Sequence, residues 1–372
     1  MKSTKSMMTK RERMMAALNF ERPDRVPIIQ GWLIDDVHYQ ALAGASAEEF
    51  WADREGVAIR AYQALDVDAL QMICLPSAPG EFRGGLDKER YESYQERYRS
   101  AEDVLAYAQS LPDPAEAARA FDADAWADEF EQKVHLMRSR IGDIVWLPTL
   151  WDIIHPTFEW YPVFGYENYL LFLTLYPEAA DRFFAIHAAT GRLKSEKAAA
   201  LYAKLDMVPL TLVGTDTCGS NGPIMPVTFL RECYFPHVAH ALEPVHEAGI
   251  RTVWHSDGDI RPIVDEVLKC GVGGFQGFQV EYGVDIADLA AHRTLSGDPL
   301  TIFSGMSVTT NLPHGTVDDV RREMERVIDV FSKECALFIC PSSNVLPDCP
   351  LENVIEAHRH VIAYSREKYA SG

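Results

Sequence analysis

The chain has 372 residues, long for one domain but within the range of an α/β barrel that carries insertions. With 47% hydrophobic and 24% charged residues it has the composition of a globular protein with a sizeable core, which excludes a disordered or fibrous chain. Its 35 Lys and Arg stand against 55 Asp and Glu, a net charge of −20 whose field repels polyanions, so nucleic acid is not an expected partner.

The first helix is announced by Thr9, an N-cap residue, with Glu12 at capping-box spacing and Met14, Met15 and Leu18 as its apolar stripe; Pro23 and Pro27 close it. Val26 to Ile29 reads as a short strand, Ala47 to Leu65 as a helix and Ala69 to Leu75 as a buried strand. Between Ala78 and Ser100 the alternation breaks into Gly-Gly and alternating Tyr and charged residues, which predicts an exposed hairpin inserted near the barrel mouth. Ala101 to Val134, acidic and Ala-rich with Pro112 and Pro114, reads as solvated helix.

Alternation then resumes. Strands are expected at Ile144 to Pro148, Met207 to Gly214, Arg251 to Trp254, Gly273 to Phe278, Leu300 to Phe303 and Ala336 to Cys340. Helices are expected at Tyr166 to Asp206, Pro226 to Gly249, Ile260 to Cys270, Ile286 to His292 and Val317 to Phe331. Short apolar strands alternating with amphipathic helices predict an all-parallel sheet covered by helices, and about eight such units predict closure into a (β/α)8 TIM-type barrel with an N-terminal helical extension. One domain, 1–372, is expected.

No apolar run approaches the roughly 20 residues needed to cross a bilayer, and Met1 to Arg13 lacks the apolar stretch of a signal peptide. A cytoplasmic protein with no membrane partner is expected. Cysteines 74, 218, 233, 270, 335, 340 and 349 form no CxxC pair and are odd in number, which predicts buried thiols rather than a disulfide framework or zinc ribbon.

Active groups of an α/β barrel come from the loops that follow its strands. That rule selects Trp151, Asp152 and His155, then Asp216 and Cys218, His255 and Asp257, Gln276 and Gln279, Ser304 and Met306, and Ser342, Ser343 and Asn344. If strand geometry persists, His255 and Asp257 point to one face, where an imidazole and a carboxylate can share a cation or a proton; the same pair also serves as a loop brace. Asp216, Glu232 and Cys340 would complete a mixed N/O/S set that zinc accepts. Each has a structural alternative: a turn for Asp216, a helix dipole for Glu232, core packing for Cys340. Ser343 has no signature of an activated nucleophile.

The sequence resembles the uroporphyrinogen decarboxylase superfamily, which also holds corrinoid-dependent and O-demethylase methyltransferases. The resemblance rests on Arg11 to Leu18 with Arg22-Pro23-Asp24-Arg25-Val26-Pro27, Phe164-Gly165-Tyr166-Glu167-Asn168, His255-Ser256-Asp257-Gly258, Gly283-Val284-Asp285, Gly315-Thr316 with Asp319-Val320, and Asp348 to Asn353. It implies a TIM-type barrel over nearly the whole chain. Where true decarboxylases of the family carry an Arg-rich segment, this chain reads Gln30 to Asp36 with two acids and no arginine; the family's later His falls at Ser343. Both departures argue against a porphyrinogen substrate.

The methyltransferase branch carries a His-x-Cys zinc motif and a distant Cys. His255 matches the first ligand, Asp257 stands at the first Cys, and Ser343 rather than Cys340 aligns with the second. The resemblance therefore implies an O-rich zinc site, for which the series Asp216, Glu232, His255 is spaced; the expected metal ligands are His255, Asp257, Glu232 and Cys340, and the expected catalytic groups Asp216, His255 and Asp257. It further implies a corrinoid on a separate protein, a small methoxylated or methylated substrate, and a homodimer. Trp32, Asp152, His155, Gln276, Gln279 and Ser343 are the expected substrate contacts, with Trp32, Trp151, Phe158, Trp160, Phe275 and Phe278 as apolar lining. A decarboxylase-like lyase and a non-enzymatic sensor or tetrapyrrole-binding barrel are the competing readings.

Overall fold

The computed structural model describes residues 7–80, 93–94, 96–151 and 153–371. The strands are β1 (Ile29–Gln30), β2 (Ala69–Leu70), β3 (Val145–Trp146), β4 (Leu210–Gly214), β5 (Cys218–Gly219), β6 (Gly222–Pro223), β7 (Arg251–Gly258), β8 (Gly274–Phe278), β9 (Thr301–Met306) and β10 (Ala336–Pro341). Apart from the β5–β6 hairpin, they alternate with helices and pair in parallel, which is the α/β fold of TIM type.

Two compact units make up the chain. The first comprises Met1–Arg83, Gln132–Thr149 and Gly274–Gly372. Within it β3, β2 and β1 pair in order, a bridge from Ile28 to Ile339 joins β1 to β10, and β10, β9 and β8 follow. Its N-terminal helix, Lys10–Leu18, carries the expected capping box: Glu12 N donates to Thr9 Oγ1 at 3.2 Å and Thr9 N to Glu12 Oε2 at 2.8 Å. The helix ends at Leu18, before the prolines expected to stop it.

The two acids of the segment Gln30 to Asp36 are buried at the start of a helix. Asp35 caps a helix over Asp36–Ala43, accepting from His38 N at 2.9 Å, and its other oxygen meets His38 Nδ1 at 2.6 Å. Burial alone would lower the His38 pKa, but the Asp35 carboxylate outweighs it and raises it, so the acid serves a buried pair. The helix expected from Ala47 to Leu65 is two, Ala47–Ala52 and Arg54–Ala64, divided by Asp53, which accepts from Gly56 N at 3.0 Å.

The second unit comprises Gly84–Glu131 and Leu150–Gly273. Its centre is the parallel pair β4–β7, with Trp151 bridged to Val213 on the far side of β4. Around it pack Tyr166–Leu175 and Pro177–Lys204, one expected helix interrupted at Tyr176 because Pro177 takes the first position of a new one. Phe158, Phe164, Phe183, Phe184 and Tyr234 are fully buried and stack on one another, a core cluster.

The Ala-rich acidic stretch forms Ala101–Ser110, Pro114–Ala120 and Ala123–Arg140. Most of the expected hairpin at 78–100 lies outside the described residues, as does Asp152. All seven cysteines are free thiols, five buried and Cys233 and Cys335 half-buried. No described helix is long and apolar enough to cross a membrane.

Candidate metal centre

Strand β7 runs through His255 and Asp257 instead of stopping at Trp254, so the two residues keep strand alternation and share a face. Pairing with β4 sets Gly214 against His255, and Thr215 N continues the ladder by donating to His255 O at 3.0 Å. The chain then turns around Ser256, whose Oγ accepts from Thr217 N at 3.1 Å and Cys218 N at 3.2 Å. Asp216 is pinned between these anchors, and its Oδ1 accepts from Asp257 N at 2.8 Å. Gly214 (φ 110°) permits this approach, since a Cβ there would stand 2.5 Å from both the amide N and the carbonyl O of His255.

His255 Nε2 lies 3.4 Å from Asp216 Oδ1 and 3.9 Å from Asp257 Oδ1, and one ligand atom from each of the three residues falls within 4.8 Å of the others. Donors about 2.1 Å from a tetrahedral zinc stand roughly 3.4 Å apart, so one nitrogen and two carboxylate oxygens at these spacings fit such an ion with small adjustment. The His255 side chain is 2% exposed, while Asp216 and Asp257 keep 27% and 33%, with Asp257 Oδ1 itself buried. The Trp151 ring leans on the imidazole, centroids 4.2 Å apart.

Burial works against the charge on Asp216, but its bond to His255, the imidazole's charge and the Asp257 amide outweigh that and hold the carboxyl below its ordinary range. Glu159 goes the other way. Burial, reinforced by the charge of Asp216, raises it, although Tyr161 OH donates to Oε1 at 2.8 Å and Thr215 Oγ1 to Oε2 at 3.0 Å. The sequence reading missed Glu159; the available signal was a carboxylate set inside the aromatic run Phe158-Glu159-Trp160-Tyr161.

The other expected members lie outside this cluster. Glu232 is exposed on a π-helical turn, Leu230–Tyr234, and stands outside the three-residue cluster. Cys340 is fully buried in β10 with Sγ 4.0 Å from Gln71 Oε1, and it stands outside the three-residue cluster. His155 uses both ring nitrogens on the backbone: Gly214 N donates to Nε2 and Nδ1 to Pro156 O, each at 2.9 Å. Its ring holds the end of β4. Phe158 and Trp160 belong to the core cluster, Trp160 stacking on Phe164.

In the first unit, Trp32 is buried and donates to Gln71 Oε1 at 3.1 Å. Gln276 donates to the carbonyls of Pro341 at 2.8 Å and Ser342 at 3.0 Å, bracing the end of β10, and Gln279 donates to Glu281 at 3.1 Å. Ser343 is half-buried on the loop after β10.

No protein-family model matches the chain, and no curated protein matches it in sequence. Among solved structures it is similar to a methyltransferase from Methanosarcina mazei, with a TM-score of 0.62 at 14% identity over 98% of this chain and 99% of that one. At that identity the likeness establishes the fold, which follows the neighbour along almost its full length.

Proposed function

We propose that this protein is a zinc-dependent methyltransferase of the uroporphyrinogen decarboxylase-like kind, moving a methyl group between a small methoxylated or methylated substrate and a corrinoid carried by a separate protein. The observation that carries the reading is the convergence of Asp216, His255 and Asp257 into one N/O/O donor set. The structural neighbour's activity agrees with it. Three protein ligands with an open side are the arrangement of a catalytic rather than a structural zinc site. Bound there, zinc would supply Lewis acidity toward the heteroatom that carries or receives the methyl group.

The chain's own residues do the positioning. The imidazole and the Asp257 amide hold the Asp216 carboxyl below its ordinary range, Trp151 packs against the His255 ring, and burial with the charge of Asp216 raises the Glu159 carboxyl. Trp32, Asp152, Gln276, Gln279 and Ser343 remain the proposed substrate contacts, and a homodimer in the cytoplasm is the proposed setting.

The test is metal content by mass spectrometry of the wild type and of His255→Ala. Near-stoichiometric zinc that disappears in the variant is expected. A metal-free wild type that is folded and active would overturn the reading in favour of a lyase. One observation supports that second reading: Asp216 and Glu159 are neighbouring carboxyls pushed in opposite directions, as an acid–base pair requires. The sensor reading predicts ligand groups that face apart, and here they converge.

A further inference from the structure

The segment Arg22-Pro23-Asp24-Arg25 divides between two tasks. Asp24 accepts from Arg13 Nε at 2.6 Å, and Arg25 donates to Asp68 Oδ2 at 2.6 Å, so both are bound into the fold. Arg22 is exposed; its guanidinium carbon lies 5.6 Å from the centre of the Tyr369 ring, and no carboxylate pairs with it among the described residues. Arg22 and Tyr369 line a cavity of about 580 Å³ at the amino-terminal ends of β9 and β10, marked by Pro299 and Cys335. That volume lies inside the range of small-molecule sites, about 300–1,000 Å³.

The wall is basic in a chain of net charge −20. Arg22, Arg293, Lys333 and Lys368 stand against Glu21 and Glu334. Glu334 holds Arg293 at 3.3 Å and Asp329 holds Lys368, which leaves Arg22 and Lys333 as the two wall cations with no direct ion pair among the described residues, Lys333 interacting with Asp329 at longer range. Such a pair attracts an anion at short range against the field of the whole molecule.

A second, independent feature is aromatic. The helix Lys10–Leu18 closes with Phe20 N donating to Ala17 O at 3.1 Å and Glu21 N to Ala16 O at 2.8 Å, a pattern whose left-handed position glycine usually fills. Phe20 occupies it at φ 58° and stays 40% exposed on the cavity wall. A strained aromatic kept at a pocket is the kind of outlier that accompanies a binding role. Burial pushes the Cys335 thiol up to about 12, so this cysteine is not a ready thiolate nucleophile.

We propose that this cavity binds a small aromatic phosphate, its dianion met by Arg22 and Lys333 and its ring by Tyr369 and Phe20. The proposal is independent of the metal centre. Titration calorimetry of the full chain with adenosine 5′-monophosphate, adenosine and inorganic phosphate tests it. The monophosphate is expected to saturate the wild type, with each half binding at least about tenfold more weakly. Arg22→Ala should weaken the monophosphate by at least about tenfold, the loss of a charge-assisted contact. Phe20→Gly should also weaken it while raising the thermal midpoint, because glycine relieves the left-handed strain; a merely structural Phe20 would not separate the two readouts. A wild type that the monophosphate does not saturate, inorganic phosphate binding as tightly as the monophosphate, or unchanged affinity in either variant overturns the site.

Discussion

Two amides, Thr217 N and Cys218 N, share the hydroxyl of Ser256, and through them one small side chain sets where Asp216 sits. Ser256→Ala leaves both buried donors without that acceptor, at a cost of about 1–3 kcal/mol for each unsatisfied group, so a loss of roughly 2–6 kcal/mol in chemical denaturation is expected. Zinc affinity should fall about 10- to 100-fold with the far-ultraviolet spectrum unchanged, as when an orienting partner of a ligand is removed. A variant as stable and as tightly metallated as the wild type would refute the role of Ser256.

Glu323 makes a pH prediction. Burial, aided by the charge of Glu281, lifts it to about 7 from its ordinary 4.5, although the Ser307 amide and Asn311 bond to it. Between those values the folded chain keeps a proton that the unfolded chain has released, so this group's contribution is complete below about 4.5 and is lost as pH rises through 7. Glu323→Gln should therefore stabilise the protein by roughly 2 kcal/mol at about pH 8 and leave it unchanged at about pH 4.5, read from denaturant midpoints. Parallel pH profiles for the two proteins would contradict this.

At the scale of elements, the site depends on how closely two strands approach. Gly214→Ala places a Cβ against the His255 backbone in a left-handed conformation, so it must part β4 from β7; about 2–4 kcal/mol of stability and all bound zinc should be lost. Gly44 is the control. It closes the helix Asp36–Ala43 at φ 61° with open space around it, and Gly44→Ala should cost only about 1 kcal/mol and leave metal content unchanged. Equal effects of the two substitutions on zinc would show that strand spacing does not govern the centre. Elements were legible where local chemistry decides them. The Thr9–Glu12 capping box and the period of Val317–Glu334 gave their helices, and β8 to β10 fell within a few residues of expectation. The break at Tyr176 was readable from Pro177. The helix Asp36–Ala43 had no place in the sequence reading, although Asp35 and Asp36 form its cap and first turn.

At the scale of the whole molecule, a net charge of −20 loads the folded state with self-repulsion. Raising NaCl from about 10 mM to about 300 mM shortens the screening length from about 30 Å to below 10 Å, so the thermal midpoint should rise by a few degrees. A midpoint that falls with salt would mean that local ion pairs outweigh the repulsion. Charge, strand–helix alternation and the His255-Ser256-Asp257 spacing were determined by the sequence itself, because composition sums over the chain and periodicity acts between residues a few positions apart. The candidate ligand set was decided only in three dimensions. Asp216 joins His255 across paired strands, Cys340 lies buried in β10, Glu232 lies exposed on a helical turn, and Glu159 comes within electrostatic reach of Asp216. Burial and approach between residues far apart in sequence set a side chain's charge and partners, and one chain read alone contains neither distance.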